Sequence, residues 1–225
     1  MSGSVDSRSQ ILASVRRAAG RDRQGESGAA DRLARHSRNL IPARTDIDPA
    51  ARVALFVRMA EEVNATVIRV ASLDGAPDAV ANYLAGHNLP AAVRVAPDAA
   101  LDAVPWAKRP TLTVARGKAE ESDLSSVTGA VAGIAETGTL MLASGPGSPT
   151  TLNFLPDNHI VILRADQIVG PYEDAWDRLR AEGPMPRTVN FVTGPSRTGD
   201  IEQKIQLGAH GPRRLHIILV GEPET

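Results

Sequence analysis

The chain has 225 residues, a hydrophobic fraction of 42%, an aromatic fraction of 3% and a formal net charge of −1. This charge gives no global reason to expect a nucleic-acid partner, and no apolar run reaches the roughly 18 residues that a membrane-spanning helix needs. The absence of cysteine excludes disulfides, a catalytic thiol and a self-held iron–sulfur cluster of the usual kind. No apolar signal-peptide core follows the N-terminal arginines, so a cytoplasmic location is expected.

An N-terminal arm, residues 1–45, is predicted to precede the domain. Residues 7–19 have the spacing of a short amphipathic helix, residues 20–27 are polar and indicate a linker, and residues 31–40 favour a second, basic helix. Its arginines either form a solvated surface or dock the arm on a partner. The compact domain is predicted to occupy residues 46–225.

Strands and helices alternate through the domain, which predicts an α/β fold with a mostly parallel sheet. Helices are expected over residues 49–64, with Asp48 as N-cap, and over 77–84, 172–181 and 199–207. Strands are expected over residues 66–71, 92–95, 111–115, 159–163, 187–192 and 215–220. Two further apolar runs, 127–136 and 138–143, are rich in small residues and predict two strands in close approach.

The loop after the 187–192 strand is the first candidate for a ligand site. Gly194 and Gly199 have the spacing of a Walker A loop, but Asp200 and Ile201 stand where that motif has Lys and then Ser or Thr. Because the ammonium for phosphate and the hydroxyl for Mg²⁺ are missing, a nucleoside triphosphatase of this type is excluded. A dinucleotide fingerprint is also absent from residues 145–149, which lack its third glycine.

The same loop is predicted to lie at the carboxyl end of a strand, where open α/β sheets usually bind ligands. Ser196, Thr198 and their backbone N–H groups would hold an anionic or polar ligand, with Arg197 assisting. Asp200 and Glu202 in the same turn would offset the positive helix end, which favours a monocarboxylate or a hydroxyl-rich ligand over a phosphate dianion. In the alternative, these residues only cap a helix or pair with an arginine, and the loop is structural.

Glu136 is the second candidate, since it follows the apolar run 131–135 and is expected at a strand end. Burial there would raise its pKa and suit acid–base or nucleophilic work. The same ligand would accept hydrogen bonds from the hydroxyls of Thr137 and Thr139, and Gly138 would allow its backbone to approach closely. The alternative is a Glu held by backbone donors or an arginine, beside a plain turn.

His159 and His210 are the histidines with a possible role in a site, because both are expected to face strand ends. His210 is a catalytic candidate and His159 a ligand-binding one; each is alternatively a structural imidazole. Neither belongs to a metal-binding motif, so no metal site is predicted. Phe154 and Leu155 lie in a loop between prolines. This pattern predicts either an exposed lid or contact between copies of the chain, or two apolar residues that are buried in the core.

Four sequence blocks carry a family resemblance, and they occur in order at residues 136–139, 155–161, 194–202 and 208–212. The sequence resembles the LUD domain of the lactate-utilisation protein C family. The resemblance is strong over residues 127–220 and covers the remainder only in layout.

This resemblance implies a three-layer α/β/α fold of the NagB/RpiA/CoA-transferase-like kind. It also implies a subunit that supports oxidation of L-lactate to pyruvate together with iron–sulfur partner proteins, and the lack of cysteine agrees with clusters held by those partners. The cofactor and the chemical task of this subunit are not given by the family. By analogy with the wider superfamily, Glu136 would be a nucleophile toward a thioester.

Three functions are therefore open. The first is a component of a lactate-oxidising complex, whose loop binds a small carboxylate or docks the partners. The second is a stand-alone enzyme like a CoA-transferase or a sugar-phosphate isomerase, with Glu136 as nucleophile or base. The third is a non-catalytic scaffold or regulator.

Overall fold

The computed structural model describes residues 6–18, 24–198 and 206–222. The chain divides into two compact units between Leu40 and Ile41. The predicted division after residue 45 stays a prediction.

The smaller unit contains helices α1 (Ser7–Ala18) and α2 (Gln24–Arg35). The linker predicted over residues 20–27 is therefore helical from Gln24, and the second helix ends at Arg35 rather than at residue 40. Helix α1 carries arginines in its last turn, where positive side chains favour the negative helix end.

The elements of the larger unit are numbered along the chain. The helices are α3 (Pro49–Glu62), α4 (Ala76–Gly86), α5 (Ala99–Asp102), α6 (Thr151–Phe154) and α7 (Tyr172–Ala181). The strands are β1 (Thr66–Val70), β2 (Ala92–Val95), β3 (Thr113–Arg116), β4 (Ser125–Thr128), β5 (Ala132–Ile134), β6 (Thr139–Ala143), β7 (Asn158–Arg164), β8 (Ile168–Val169), β9 (Val189–Val192), β10 (Arg197–Thr198), β11 (Gln206–Leu207) and β12 (Arg214–Val220).

Six parallel strands form the central sheet, in the order β1-β12-β7-β4-β2-β3. The inner strands β7 and β12 are buried along almost their whole length, and each contains a run of four apolar residues, because both of their faces are covered, as is usual for parallel sheets. Helix α3 begins as predicted, since the Asp48 carboxylate accepts a 2.8 Å hydrogen bond from the Ala51 N–H and Pro49 opens the helix. The predicted α/β fold with a mostly parallel sheet is confirmed.

A second, mixed sheet has the order β8-β5-β6-β9, and β6 pairs antiparallel with both β5 and β9. The single strand predicted over residues 127–136 is wrong, because the chain leaves the central sheet at Gly129 and enters the second sheet at Ala132. Alternation along β6 turns Leu140 and Leu142 toward the central sheet and Met141 toward α7.

The two faces of the central sheet have different neighbours. One face packs against α4 and α5 through side chains such as Val80 and Leu101. The other packs against α3 and the second sheet, with Phe56 and Leu140 fully buried between them. Helix α7 covers the outer face of the second sheet. The predicted layers are therefore present, with the central sheet in the middle. On one of its faces the layer contains the second sheet as well as helix α3.

The segment after β9 differs most from its prediction. Strands β10 and β11 pair antiparallel, with Thr198 opposite Gln206. The helix predicted over residues 199–207 is therefore wrong at Gln206 and Leu207, and Thr198 is a strand residue rather than a helix N-cap. Residues 199–205 lie outside the described residues. Among the helices that are described, none is long and apolar enough to cross a membrane.

Candidate functional site

A cleft of about 280 Å³ lies between the loop after β9 and the first residues of β7 and β12. Its lining consists of Asn153, Phe154, His159, Phe191, Val192, Thr193, Gly194, Pro195, Ser196, Arg197, His210, Gly211, Pro212 and Leu215. The loop follows the carboxyl end of β9, as predicted, but β9 belongs to the second sheet. The cleft therefore lies at the amino edge of the central sheet, not at the carboxyl edge where a site was expected.

The end of α3 holds one wall of the cleft. Gly194 has a φ of 76°, and a Cβ atom at this position would overlap the carbonyl oxygen of Val63, the C-cap residue of α3. The Arg197 guanidinium donates a 2.5 Å hydrogen bond to the same carbonyl. Only glycine fits this turn, and the bond satisfies an acceptor that the helix end leaves open. The wall is therefore fixed by the backbone as well as by a side chain.

The opposite wall is the segment before β12. The Ser196 N–H donates to the Pro212 carbonyl at 2.9 Å, and the His210 N–H donates to the Ser196 hydroxyl oxygen at 3.4 Å. The His210 side chain is exposed. These bonds bring two separate parts of the sequence to one opening, with an imidazole and a hydroxyl on its surface.

His159 forms part of the cleft wall and is fully buried. Its Nε2 lies 2.8 Å from the Thr128 hydroxyl oxygen, whereas its Nδ1 has no hydrogen-bond partner among the described residues. Burial lowers the pKa of His159 to about 4, so the imidazole is neutral at pH 7. A neutral imidazole has one donor and one acceptor nitrogen, which suits hydrogen bonding to a hydroxyl.

Asn153, on the short helix α6, supplies a second unpaired polar atom. The residue is 2% exposed, and its Oδ1 is buried without a partner in the described part of the chain. An unsatisfied buried acceptor costs about 1–3 kcal/mol, so most such atoms in proteins have a partner. Both residues line the cleft, so its wall contains two polar atoms, on Asn153 and His159, that the described residues leave without a hydrogen-bond partner. No sequence motif distinguishes this asparagine from others.

A cluster of hydroxyl groups lies behind the cleft. The Thr139 Oγ1 lies 2.6 Å from that of Thr137, 3.1 Å from the Tyr172 hydroxyl and 2.7 Å from the Thr193 Oγ1. Thr139 is fully buried, while Thr193 lines the cleft. The turn between β5 and β6 is thus connected to the cleft through a hydrogen bond, although its own threonines do not line it.

Glu136 does not line the cleft. Its Oε1 lies 3.7 Å from an Arg44 guanidinium nitrogen, and its side chain is 16% exposed. The neighbouring Gly138 has a φ of 66° and abuts the backbone of Met59 and Ala60 in α3. Glu136 therefore lies outside the cleft that His159 lines, and its role as a nucleophile stays a prediction.

The predicted site residues fall into three groups. Those that line the cleft are His159, Gly194, Ser196, Arg197 and His210. Those placed away from it are Glu136, Thr137, Gly138, Thr139 and Thr198, the last of which is buried in β10. Asp200 and Glu202 lie outside the described residues. No group of three or more His, Asp or Glu in the described ranges is arranged to hold a metal ion.

Relatives of known sequence match part of this chain. An uncharacterized protein of Neisseria meningitidis is 40% identical over 93 residues, which are 41% of this chain and 40% of that protein. Lactate utilization protein C of Deinococcus radiodurans is 38% identical over 96 residues, or 42% of this chain and 45% of that protein. The same-named protein of a Geobacillus species is 36% identical over 91 residues, or 39% and 38%. Each match spans less than half the length of the curated relative.

Similarity in three dimensions extends further along the chain. A crystal structure of a DUF162 family protein from Deinococcus radiodurans has a TM-score of 0.60 and 26% identity, and the match covers 78% of this chain and 99% of that one. The sequence profile of the LUD domain matches residues 53–220, a range that contains the central sheet, the second sheet and every residue of the cleft lining. The chain therefore belongs to the LUD domain family.

Proposed function

We propose that this chain is a component of a cytoplasmic L-lactate utilisation system and that its cleft binds a small 2-hydroxy or 2-oxo monocarboxylate such as L-lactate or pyruvate. The names of several relatives support the biological role. The observation that supports the binding site is a pair of buried polar atoms, His159 Nδ1 and Asn153 Oδ1, which have no hydrogen-bond partner among the described residues and belong to residues that line the cleft.

The chemistry of the lining suits this ligand class. Arg197 uses one donor on the Val63 carbonyl, and a guanidinium has five N–H donors, so donors remain for a carboxylate. The hydroxyl of Ser196 lies in the same wall. A 2-hydroxyl or 2-oxo group would be bound by the neutral His159 or, for a hydroxyl donor, by Asn153 Oδ1. Phe154 and Phe191 offer an apolar surface to a methyl group.

Iron–sulfur proteins are the proposed partners in oxidation of L-lactate to pyruvate. This chain has no cysteine, so clusters that receive electrons would be held by other subunits. In this arrangement the LUD domain binds the organic acid and the partners carry the electrons. The partner-docking role proposed for the arm, and any association between copies of this chain, are compatible with it.

The binding proposal is tested by isothermal titration of the purified chain with L-lactate and pyruvate, with acetate as the comparison ligand. Arg197→Gln should weaken binding of either ligand by roughly tenfold or more, because a charge-assisted hydrogen bond is lost. Arg187→Gln, an exposed arginine outside the cleft, is the matched control and should change nothing. Acetate binding as well as L-lactate, or an unchanged affinity in Arg197→Gln, would contradict the proposal.

The complex itself is tested by co-purification with cluster-bearing proteins of the same cell, followed by an L-lactate oxidation assay with and without this chain. Pyruvate formation should require the chain and should fall with His159→Asn at unchanged complex yield. Equal oxidation in its absence would remove it from the system. Turnover of an acyl-CoA by the purified chain alone, abolished by Glu136→Gln, would instead favour the stand-alone enzyme.

A further inference from the structure

A second opening lies at the carboxyl edge of the central sheet, opposite the cleft. Two adjoining hollows of about 250 and 310 Å³ share Asp98, Ala100, Gly129, Ala130 and Gln167. We call this opening the carboxyl-edge crevice. Among the described residues, no histidine lines it, and no residue that the sequence singled out for chemistry belongs to it.

The strand order explains why a crevice forms here. Strands β2 and β4 are neighbours, but the chain continues in this sheet from β2 to β3 on one side and from β4 to β7 on the other. The loops that leave β2 and β4 therefore diverge, and they leave a gap above the sheet edge. In open α/β sheets such a switch point at the carboxyl ends of the strands is the usual position of a ligand.

An uncommitted acceptor faces this gap. Asp98 caps α5, since its Oδ1 accepts a 2.9 Å hydrogen bond from the Ala100 N–H. Its Oδ2 receives no hydrogen bond from the described residues and lies 3.2 Å from the position that a Cβ atom at residue 129 would occupy. Gly129 therefore leaves the carboxylate oxygen accessible. Such an oxygen, oriented by its helix cap, is suited to accept hydrogen bonds from ligand hydroxyls.

The base of the crevice is apolar. Leu101 and Ile162 are buried beneath it, and Ala100, Ala103 and Ala130 add only methyl groups. Small side chains leave room for a flat ring, and apolar ones favour its faces over water. The crevice thus combines a hydroxyl-binding carboxylate with a surface for a planar apolar group.

The charges around the rim limit the ligand further. Arg164 and Arg178 are outnumbered by Asp98, Asp166 and Glu182. Arg164 already binds Asp166 through two hydrogen bonds of 2.9 and 2.7 Å. A highly charged anion would meet excess negative charge, whereas a neutral group with hydroxyls and a ring would not.

From this juxtaposition we propose that the carboxyl-edge crevice binds a nucleoside. Its ribose hydroxyls donate to Asp98 Oδ2, and its base lies over the apolar surface above Leu101 and Ile162. The nucleoside is either free or one half of a dinucleotide, since both present the same ribose and ring. This site is separate from the cleft and does not depend on the function proposed for it.

Ligand-detected NMR titration of the full chain tests the proposal with adenosine, 2′-deoxyadenosine and adenine. Adenosine should bind best, and loss of the 2′-hydroxyl should weaken binding by roughly tenfold. Asp98→Asn should weaken adenosine binding by about the same factor while keeping α5 capped, because asparagine is an equally good N-cap. Asp102→Asn, on the same helix but outside the crevice lining, is the control and should bind adenosine as the native chain does.

Three results would overturn the nucleoside site: no adenosine binding, adenine or 2′-deoxyadenosine binding as well as adenosine, or unchanged binding by Asp98→Asn. A parallel titration with NAD⁺ separates the two sources: tighter binding than adenosine indicates the dinucleotide, and equal or weaker binding the free nucleoside. L-lactate titration of Asp98→Asn should match the native chain, so failure at one site is distinguishable from failure at the other.

Discussion

The two edges of the central sheet are built from different kinds of polar group. At the amino edge, the cleft is lined by buried, uncharged groups, His159 and Asn153, beside a turn fixed by Gly194. At the carboxyl edge, the crevice is lined by charged side chains such as Arg164 and Asp98, which are at least partly exposed. Close packing holds buried side chains in position, whereas exposed ion pairs contribute little to stability and rearrange easily. The cleft is preorganised, and the crevice is adaptable.

Equivalent glycine substitutions give the sharpest test of this contrast. Gly194→Ala places a side chain at φ 76° against the Val63 carbonyl and should cost about 4 kcal/mol of unfolding free energy, since backbone strain and steric overlap add. Gly129→Ala meets only the movable end of Asp98 and should cost less than about 1 kcal/mol. Urea denaturation of both variants measures the difference. Equal losses would mean that the two edges are equally rigid.

Acid should act on the amino edge. Burial lowers the pKa of His159 to about 4 from an ordinary value of 6.5, so between these values the unfolded chain binds a proton that the folded chain does not. Stability should fall as the pH drops from 6.5 to 4, level off below that, and lose up to about 3 kcal/mol through this group. His216, buried on the other face and also with a pKa of about 4, should add a loss of the same sign.

Unfolding free energies at pH 7.5, 6, 5 and 4 measure this effect. His159→Asn should show a shallower decline than the native chain over the same range. His36→Gln, which removes an exposed histidine from the smaller unit, serves as the control. A decline of native slope in His159→Asn would show that this imidazole does not couple stability to pH.

The hydroxyl cluster behind the cleft should contribute less. Thr139→Val deprives three hydroxyl groups of a partner, on Thr137, Tyr172 and Thr193, and should lower the unfolding free energy by about 1–2 kcal/mol. Thr113→Val on the exposed side of edge strand β3 is the matched control, with a change within about 0.5 kcal/mol. Thermal and urea unfolding would compare the two. Similar changes in unfolding free energy for the two variants would show that the hydroxyl cluster does not stabilise the domain.

The smallest effect is expected at the carboxyl edge. Arg164→Gln removes the ion pair with Asp166, but the arginine side chain is 62% exposed, and exposed pairs contribute roughly 0–1 kcal/mol. Its unfolding free energy should stay within about 0.5 kcal/mol of the native value, and 1 M salt should reduce even that difference. A larger loss would show that this edge is as firmly built as the other.

Local patterns predicted most of the fold, because caps, periodicity and β-branched runs act over short distances. Asp48 is one example, and the exact match of α7 to residues 172–181 is another. The transfer of the chain at Gly129 into a second sheet depends on which partner strands are available, and no local signal encodes it. For the same reason residues 206–207 are a strand: their pairing with β10 is formed across an intervening segment.

The candidate site was harder to predict than the fold. Residue type was enough to select the loop at Gly194 and the two histidines as candidates. Their position at the amino edge of the central sheet could not be predicted, because it depends on β9 belonging to the second sheet. Glu136, singled out because it ends an apolar run, lies outside the cleft and pairs with Arg44, and its chemical role stays a prediction. His216 is 6% exposed and stacks on the Tyr83 ring, a contact between distant parts of the sequence. Asn153 is distinguished only by its buried Oδ1, which has no hydrogen-bond partner among the described residues.

Helix α3 has a consequence for how this domain can change. Two glycine-containing loops contact the backbone at the end of this helix: Gly138 lies against Met59 and Ala60, and Gly194 lies against Val63. A displacement of this helix end by a fraction of an ångström would disturb both turns together. The helix end and the two glycine turns are therefore three segments that must match one another. A chimaera that takes only one of them from a distant relative would place mismatched backbones in contact, whereas exchange of all three would keep the contacts.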